Sequence, residues 1–508
     1  MIIDYTQKRD GLDISYVDVN NQIAIEEIIL DDGFFQLVEC EESDPNKIPT
    51  LKSFNGSFIK KEHAKYFSHH NINEFFNQEI PLNFSKQNEK FAEMRIPNPF
   101  SVDIETDISD KYGYSSQTEA LNSIRSISFT DSSLQSIFFI VKNPEHPEIT
   151  DIDKIQIASI LQDSLKEYCN KYSFDFSIRV FDTEIEMLNV FLECMNKHFH
   201  LIIGWNFLDF DWQYIFNRCD KLGIDIKKAS PTRKLSKKTI DINDKTKITL
   251  QIPSHRILAD YMILFKESLI YNNLGSYSLD NISEMILGLN KVTYDGNLRT
   301  LYEKEYLRFI SYGLIDTILV MLIHKATNLL TVDFFQSYYT KVPYLRLSQN
   351  SISEALVYLE LRKDNLFLLE SEKTNNVKRK YQGGYVKAPT KKNVNSCWGL
   401  DFKALYPNGM ITMGLSPEAK VDEILVDMDG IPIDSNEITK WIKYKSMGFA
   451  LTPLGRVYDV TKDYLYTQIE KGLLNSRGVF QGYDEDIYLN VITKLENEIQ
   501  KRKIQLKS

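Results

Sequence analysis

The sequence predicts a multidomain protein of mixed α/β and α+β class. With 508 residues, the chain is long enough for two to four domains. From Ser101 to about residue 330, strand-like and helix-like segments follow one another, whereas residues 1 to about 100 hold short alternating runs broken by polar turns, as in "DDGFFQLVECEESDPNK". Hydrophobic residues at 43% and aromatic residues at 12% are ample for packed cores and speak against disorder.

Taken in order, "SIRSISFTDSSLQSIFFIV" reads as two strands of a hairpin. "TEIEMLNVFLECMNKHF" spaces its apolar residues as a helix does, with Thr183 as the N-cap. "HLIIGWN" is a short buried strand, and "WQYIFNRCDKLG" a helix ending at Gly223. Lys237 to Ile252, "KKTIDINDKTKITLQI", alternates on both sides of "NDK" and predicts a β-hairpin. "LYEKEYLRFISYGLIDTILVMLIHKATNLL" is one long helical run. In "ESEKTNNVKRKYQGGYVKAPTKKN" the composition shifts to Lys, Asn and Gly, which suits a linker or a loop that grips a backbone. "IYLNVITKLENEIQKRKIQLKS" is an amphipathic helix.

Several classes are disfavoured. No apolar run reaches the roughly 18 residues that span a bilayer, and "MIIDYTQKRDGLD" lacks the pattern of a secretory signal. Cys40, Cys169, Cys194, Cys219 and Cys397 are scattered without a CxxC, which predicts reduced thiols, no zinc site and a cytoplasmic location. A net charge of −10 gives no hint of nucleic acid, yet a local basic groove can sit on an acidic body.

The chemistry starts at "SVDIETD". On a strand, Asp103 and Glu105 project from the same face. Like charges that close cost energy unless something positive lies between them. Asp211 stands at a strand–helix junction, where its alternative role is a helix N-cap. Tyr312 and Asp316 share one helix face at i and i+4; alone, Asp316 is equally a solvated helix residue, although its neighbours are apolar. Hard oxygen ligands suit Mg²⁺ or Mn²⁺. Carboxylates from separate elements, with a Tyr to orient water, fit phosphodiester hydrolysis by two such ions.

"DIET", "GWNFLDFDWQYIFNR" and "YGLIDT" together resemble the three exonuclease motifs of family B DNA polymerases. Asn206, Phe210 and Asp211 fit the second motif, Tyr312 and Asp316 the third. "YQGGYV", with Tyr381, Gly383 and Gly384, resembles the loop between exonuclease and polymerase domains; on spacing alone it is equally an ordinary turn. "DFKALYPNGMITMGLSPE" resembles polymerase motif A. "ADYMILFKESL", "SYSLDNI" and "KVTYDGNL" are similar to stretches of replicative polymerases from large tailed phages.

The resemblance implies a ribonuclease H-like 3′–5′ exonuclease domain over 101–325. It also implies a β-rich N-terminal domain over 1–100 joined by 326–370, a partial palm over 371–470 and the start of the fingers over 471–508. Asp103, Glu105, Asp211 and Asp316 would hold two Mg²⁺ or Mn²⁺ ions, with Tyr312 orienting water. Asp401 and the Phe402 carbonyl would hold polymerase metals, Tyr406 would exclude a 2′-OH, and Arg477 would meet the incoming dNTP. Asn206, Phe207, Phe210, Tyr381, Gly383 and Gly384 would contact single-stranded or primer-template DNA.

The sequence departs from the family at Ala404, Asn408 and Gln481, and the second fingers motif and motif C are absent. Either the sequence is a fragment of a longer polymerase, or a second chain supplies the rest of fingers, palm and thumb; a sliding clamp is expected as a further partner, with no membrane, and the bacterial host cytoplasm as the location if phage-encoded. The alternative is a non-catalytic DNA-binding scaffold subunit of a replication complex.

Overall fold

The computed structural model describes residues 2–7, 11–29, 35–53, 57–63, 94–108, 113–146, 148–166, 168–243, 246–291, 298–367, 405–406, 419–427, 430–452 and 455–459. The chain divides into two compact units, Met1–Glu370 and Ser371–Ser508.

The first unit begins with an antiparallel meander of β1 (Ile2–Gln7), β2 (Gly11–Val17) and β3 (Ile23–Ile29). A second sheet contains β4 (Phe35–Cys40), β5 (Lys47–Ser53) and β6 (Phe58–His63). The late strand Leu366–Phe367 returns to pair in parallel with β5. The same return places Arg346 3.7 Å over the Tyr5 ring and lets it donate to the Tyr5 carbonyl at 3.0 Å.

A six-stranded mixed sheet forms the centre of this unit. Its strands are β7 (Pro99–Thr106), β8 (Ile124–Asp131), β9 (Gln135–Val141), β10 (Asp175–Phe181), β11 (Leu201–Gly204) and, after a hairpin of β12 (Leu235–Asn243) and β13 (Thr246–Pro253), β14 (Ile257–Asp260). The order is β10-β9-β8-β7-β11-β14, with β8 antiparallel to both its neighbours and the other pairs parallel.

Alternation along the strands builds a core on each face. Leu201, Ile203, Ile257 and Ala259 join the core that takes in the helix Tyr306–Thr327. Ile202, Leu258, Val102 and Ile104 face the opposite way, toward the helices Glu184–Lys197 and Asp211–Lys221. Each such side chain, fully buried, contributes roughly 1.5–3 kcal/mol. Thr183 caps the helix Glu184–Lys197 by accepting from the Glu186 N–H, as its sequence predicts. The helix Asp211–Lys221 ends just before Gly223, which has φ +67°.

One expectation needs correction. The helix Tyr306–Thr327 is long and apolar enough to cross a membrane, although no such run was expected. It is apolar all round because most of it is buried inside the domain. The hairpin β12–β13 does form in the register Leu235 to Pro253. Its Ile240, Leu250 and Ile252 are buried in the domain core, and Trp212 Nε1 donates to the Gln251 carbonyl at 2.8 Å, so one face lies against the domain.

In the second unit, the strands Lys420–Glu423, Arg456–Tyr458 and Ala450–Leu451 form a small antiparallel sheet beside the helix Ser435–Ser446. Ile424, Val426 and Val457 form a buried apolar cluster in it.

Candidate metal centre

Strand β7 divides its residues by face. Val102 and Ile104 point into one core, while Ser101, Asp103 and Glu105 point toward the helix Tyr306–Thr327. That helix approaches closely because its contact residues are small. A Cβ on Gly313 would stand 2.7 Å from the Phe138 ring. One turn on, Thr317 Oγ1 lies 2.9 Å from Thr130 Oγ1, and the Ser101 hydroxyl donates to the Thr317 carbonyl at 2.6 Å. This packing lowers Asp316, the residue between those contacts, onto the acidic pair. Ligand oxygens of Asp103, Glu105 and Asp316 all lie within 4.8 Å of one another.

Asp211 enters from the neighbouring strand. β11 pairs with β7 only as far as Ile203 and Ser101, and then the chain turns through Asn206, at φ +59°, into the helix that begins at Asp211. The Asp211 carboxylate accepts from the Ile104 N–H at 3.1 Å, satisfying β7 where β11 no longer does. Asp211 does not cap its own helix: the N-cap is Phe210, with no side-chain bond. Its carboxylate stands beside the three-residue cluster, close enough to act on Asp103 and Glu105 electrostatically.

Sequence reasoning missed a cation at this site. Lys291 Nζ lies 2.5 Å from Asp316 Oδ2 and 3.4 Å from the Tyr312 hydroxyl. The helix Leu279–Leu287 stops at Gly288 in the left-handed conformation, and the Lys291 N–H donates to Asp280 Oδ1 at 2.8 Å, which steers the side chain inward. Nothing in the spacing of "GLNKVTYDG" marks this lysine, because its partners are 25 and 21 residues further on.

Among the described residues, Asp103, Glu105 and Asp316 therefore face the Lys291 ammonium, with Asp211 beside them. Burial, followed by the charge of Asp316, pushes Asp103 up to about 7, against the opposing pull of Lys291. Glu105 and Asp211 rise well above the usual carboxylate range, again chiefly by burial and then by repulsion from Asp103. Asp316 is raised by burial against the pull of Lys291. Lys291 itself is held above its ordinary value: burial lowers it, but Asp316 and Asp103 outweigh that. Desolvation raises these carboxylates more than like-charge repulsion does.

The donor set fits a divalent cation. It is all hard oxygen, drawn from β7 and the helix Tyr306–Thr327 with Asp211 beside them, and Asp316 Oδ1 is buried with no hydrogen-bond partner among the described residues.

Of the other expected site residues, Asn206 and Phe210 are half-buried on the loop that leads to Asp211. Phe207 requires correction as a DNA contact, because it is wholly buried. It packs under Gly204, where a Cβ would meet Phe207 Cβ at 2.6 Å. Tyr406 is 83% exposed in the second unit. Asp401, Phe402, Arg477, Tyr381, Gly383 and Gly384 lie outside the described residues.

The description "DNA polymerase family B, exonuclease domain" matches residues 54–282. Residues 54–282 are thus similar to the exonuclease domain of family B DNA polymerases. The chain is 26% identical to the DNA-directed DNA polymerase of Escherichia phage RB69 over 81% of this chain and 44% of that protein. It is 28% identical to the DNA-directed DNA polymerase of Enterobacteria phage T4 over 47% of this chain and 26% of that protein. A DNA polymerase of Pyrococcus glycovorans is also 28% identical, over 47% of this chain and 31% of its own length. The chain thus spans less than half the length of these family B relatives.

Proposed function

We propose that this chain is a 3′–5′ exonuclease that hydrolyses single-stranded DNA ends, the proofreading part of a replicative family B DNA polymerase of phage type. One observation carries the proposal: Asp103 and Glu105, within the residues 54–282 that match the family B exonuclease domain, meet Asp316 of a separate helix within 4.8 Å, with Asp211 beside them. The mixed sheet flanked by helices, with the acidic pair on β7 between β8 and β11, supports a ribonuclease H-like fold.

Asp103, Glu105, Asp211 and Asp316 would hold two Mg²⁺ or Mn²⁺ ions, which when bound activate a water and stabilise the leaving 3′-oxygen. Lys291 offsets part of the carboxylate charge and fixes Asp316 through its hydrogen bond. The Tyr312 hydroxyl, within reach of Lys291 and on the Asp316 face of its helix, orients the attacking water. Asn206 and Phe210 hold the strand end; base stacking on an aromatic ring is worth roughly 1–3 kcal/mol.

The domain boundaries at 1–100 with 326–370, 101–325, 371–470 and 471–508 belong to the same proposal. So do binding of primer-template DNA and dNTP through Asp401, Phe402, Tyr406 and Arg477, a second chain completing the polymerase site, a clamp partner and a host-cytoplasmic location.

The decisive experiment incubates the full chain with a 5′-labelled single strand and Mg²⁺. A ladder of strands shortened from the 3′ end is expected. It should vanish in Asp103→Ala/Glu105→Ala while the circular dichroism and melting transition persist. If the double variant still shortens the strand, the site assignment is wrong. Tight DNA binding by the parent chain without cleavage would instead favour the scaffold alternative.

A further inference from the structure

Strands β11 and β14 leave the sheet at the same level, since Gly204 and Asp260 are their last paired residues. From Gly204 the chain enters the loop 205–210 and then the Asp211 helix; from Asp260 it enters the helix Tyr261–Glu267. One side chain spans both departures. Asp260 Oδ1 accepts from the Asn206 N–H at 3.1 Å and from the Met262 N–H at 3.0 Å, with the Ile263 N–H at 3.4 Å. Asp260 Oδ2 accepts from the Leu208 N–H at 3.0 Å. The carboxylate is 3% exposed, and these four main-chain donors are its hydrogen-bond partners among the described residues.

A buried carboxylate without its donors carries a large desolvation cost, so the four N–H groups and the carboxylate hold one another in place. Two of those donors belong to the loop that presents Asn206 and Phe210. Asn206 needs the support, because its φ of +59° is a conformation that a side chain with a Cβ adopts at a cost. On the loop's far side, Trp205 Nε1 donates to the Tyr277 carbonyl at 2.9 Å. The metal-binding carboxylates have anchors of their own, although the charge of Asp260 also acts on Asp211. Asp103 and Glu105 sit on β7, Asp316 on its own helix, and Asp211 has a separate anchor at Ile104.

We infer that Asp260 is a positioning residue for DNA-end binding: it sets the 205–210 loop against the sheet so that Asn206 and Phe210 receive the strand end. This rests on the exonuclease proposal for the identity of the ligand. It acts through the loop's main chain and touches neither the DNA nor the carboxylate cluster, so its removal should weaken strand binding and spare the chemical step.

The test uses the full chain and two variants. Asp260→Asn replaces one acceptor oxygen with a donor and therefore loses one arm of the bridge. Asp260→Ser keeps a hydroxyl able to cap the helix Tyr261–Glu267 but too short to reach Leu208. Binding of a fluorescent single-stranded oligonucleotide is measured by anisotropy in EDTA, and Mg²⁺-dependent cleavage gives KM and kcat. Each variant is expected to bind about tenfold more weakly and to raise KM by about the same factor, the effect of losing one charge-assisted hydrogen bond. kcat should stay within about twofold. Unchanged oligonucleotide binding and KM in folded Asp260→Ser, whatever its melting temperature, would overturn the inference, as would a fall in kcat at constant KM. Absence of cleavage by the parent chain would count against the exonuclease proposal alone, since binding in EDTA still decides the role of Asp260.

Discussion

At the scale of single residues, the site is a problem in charge. Asp103, raised to about 7, keeps its proton in the folded, metal-free protein over a range where the unfolded chain has lost it. The folded state then binds more protons than the unfolded state between about pH 4 and pH 7, so this group's contribution to stability falls as pH rises through that window. His200 has the opposite sign: burial pushes it down to about 4, so its contribution rises with pH between there and its ordinary value. The carboxylate effect is therefore isolated by comparison with Asp103→Asn/Glu105→Gln. In EDTA, the double variant should gain stability over the parent as pH rises from 5 to 8 in denaturant titrations, and Mg²⁺ should stabilise only the parent. Lys291 gives the complementary case. Lys291→Met strips the buried Asp316 of its ion-pair partner and should cost about 3 kcal/mol in EDTA at neutral pH. Unfolding curves that overlay those of the parent chain would show that the ammonium compensates nothing.

At the scale of elements, the cluster exists because one helix is allowed to come close. Gly313 faces the wholly buried Phe138 ring, which has no room to retreat. A methyl group there should push the helix Tyr306–Thr327 away from β9, which carries Phe138, and carry Asp316 off the acidic pair. Gly313→Ala is expected to destabilise by about 1–3 kcal/mol, the usual cost of overpacking. It should also slow strand degradation at temperatures well below its melting point, where the fraction folded is unchanged. Degradation at the parental rate under those conditions would mean that the helix has slack. Sequence periodicity made most elements legible: the β8–β9 hairpin, the capped helix after Thr183, the β12–β13 hairpin and the long helix. It did not reveal that the long helix would be enclosed, because an apolar run does not specify whether lipid or protein surrounds it.

For the whole molecule, the question is synthesis. The 508 residues contain Asp401, in a stretch that resembles motif A, and no stretch that resembles motif C. One carboxylate and a carbonyl do not hold two ions in the geometry that in-line attack requires. The purified chain is expected to shorten a strand and not to extend a primer. Adding a polypeptide that bears the remaining fingers, palm and thumb should produce template-directed incorporation, removed by Asp401→Ala. Primer extension by the 508 residues alone would refute the incomplete-site argument.

The acidic residues, their order and the element each stands on could all be read from the chain, because strand and helix periods decide which side chains share a face. "DIE" on a strand puts two carboxylates together, and Tyr312 with Asp316 on a helix does the same for the third motif. What a face meets is a different matter. Lys291 and Asp260 act on residues tens of positions away in the chain, and a lysine in a polar loop or an aspartate before a helix looks the same in sequence whatever it reaches. Phe207 sits one residue after Asn206 and was grouped with it, yet the left-handed turn at Asn206 sends that ring under Gly204 into the core. Local periodicity governs orientation because it is set by neighbouring dihedral angles. Partners are chosen by packing, which brings together residues between which the sequence carries no spacing rule.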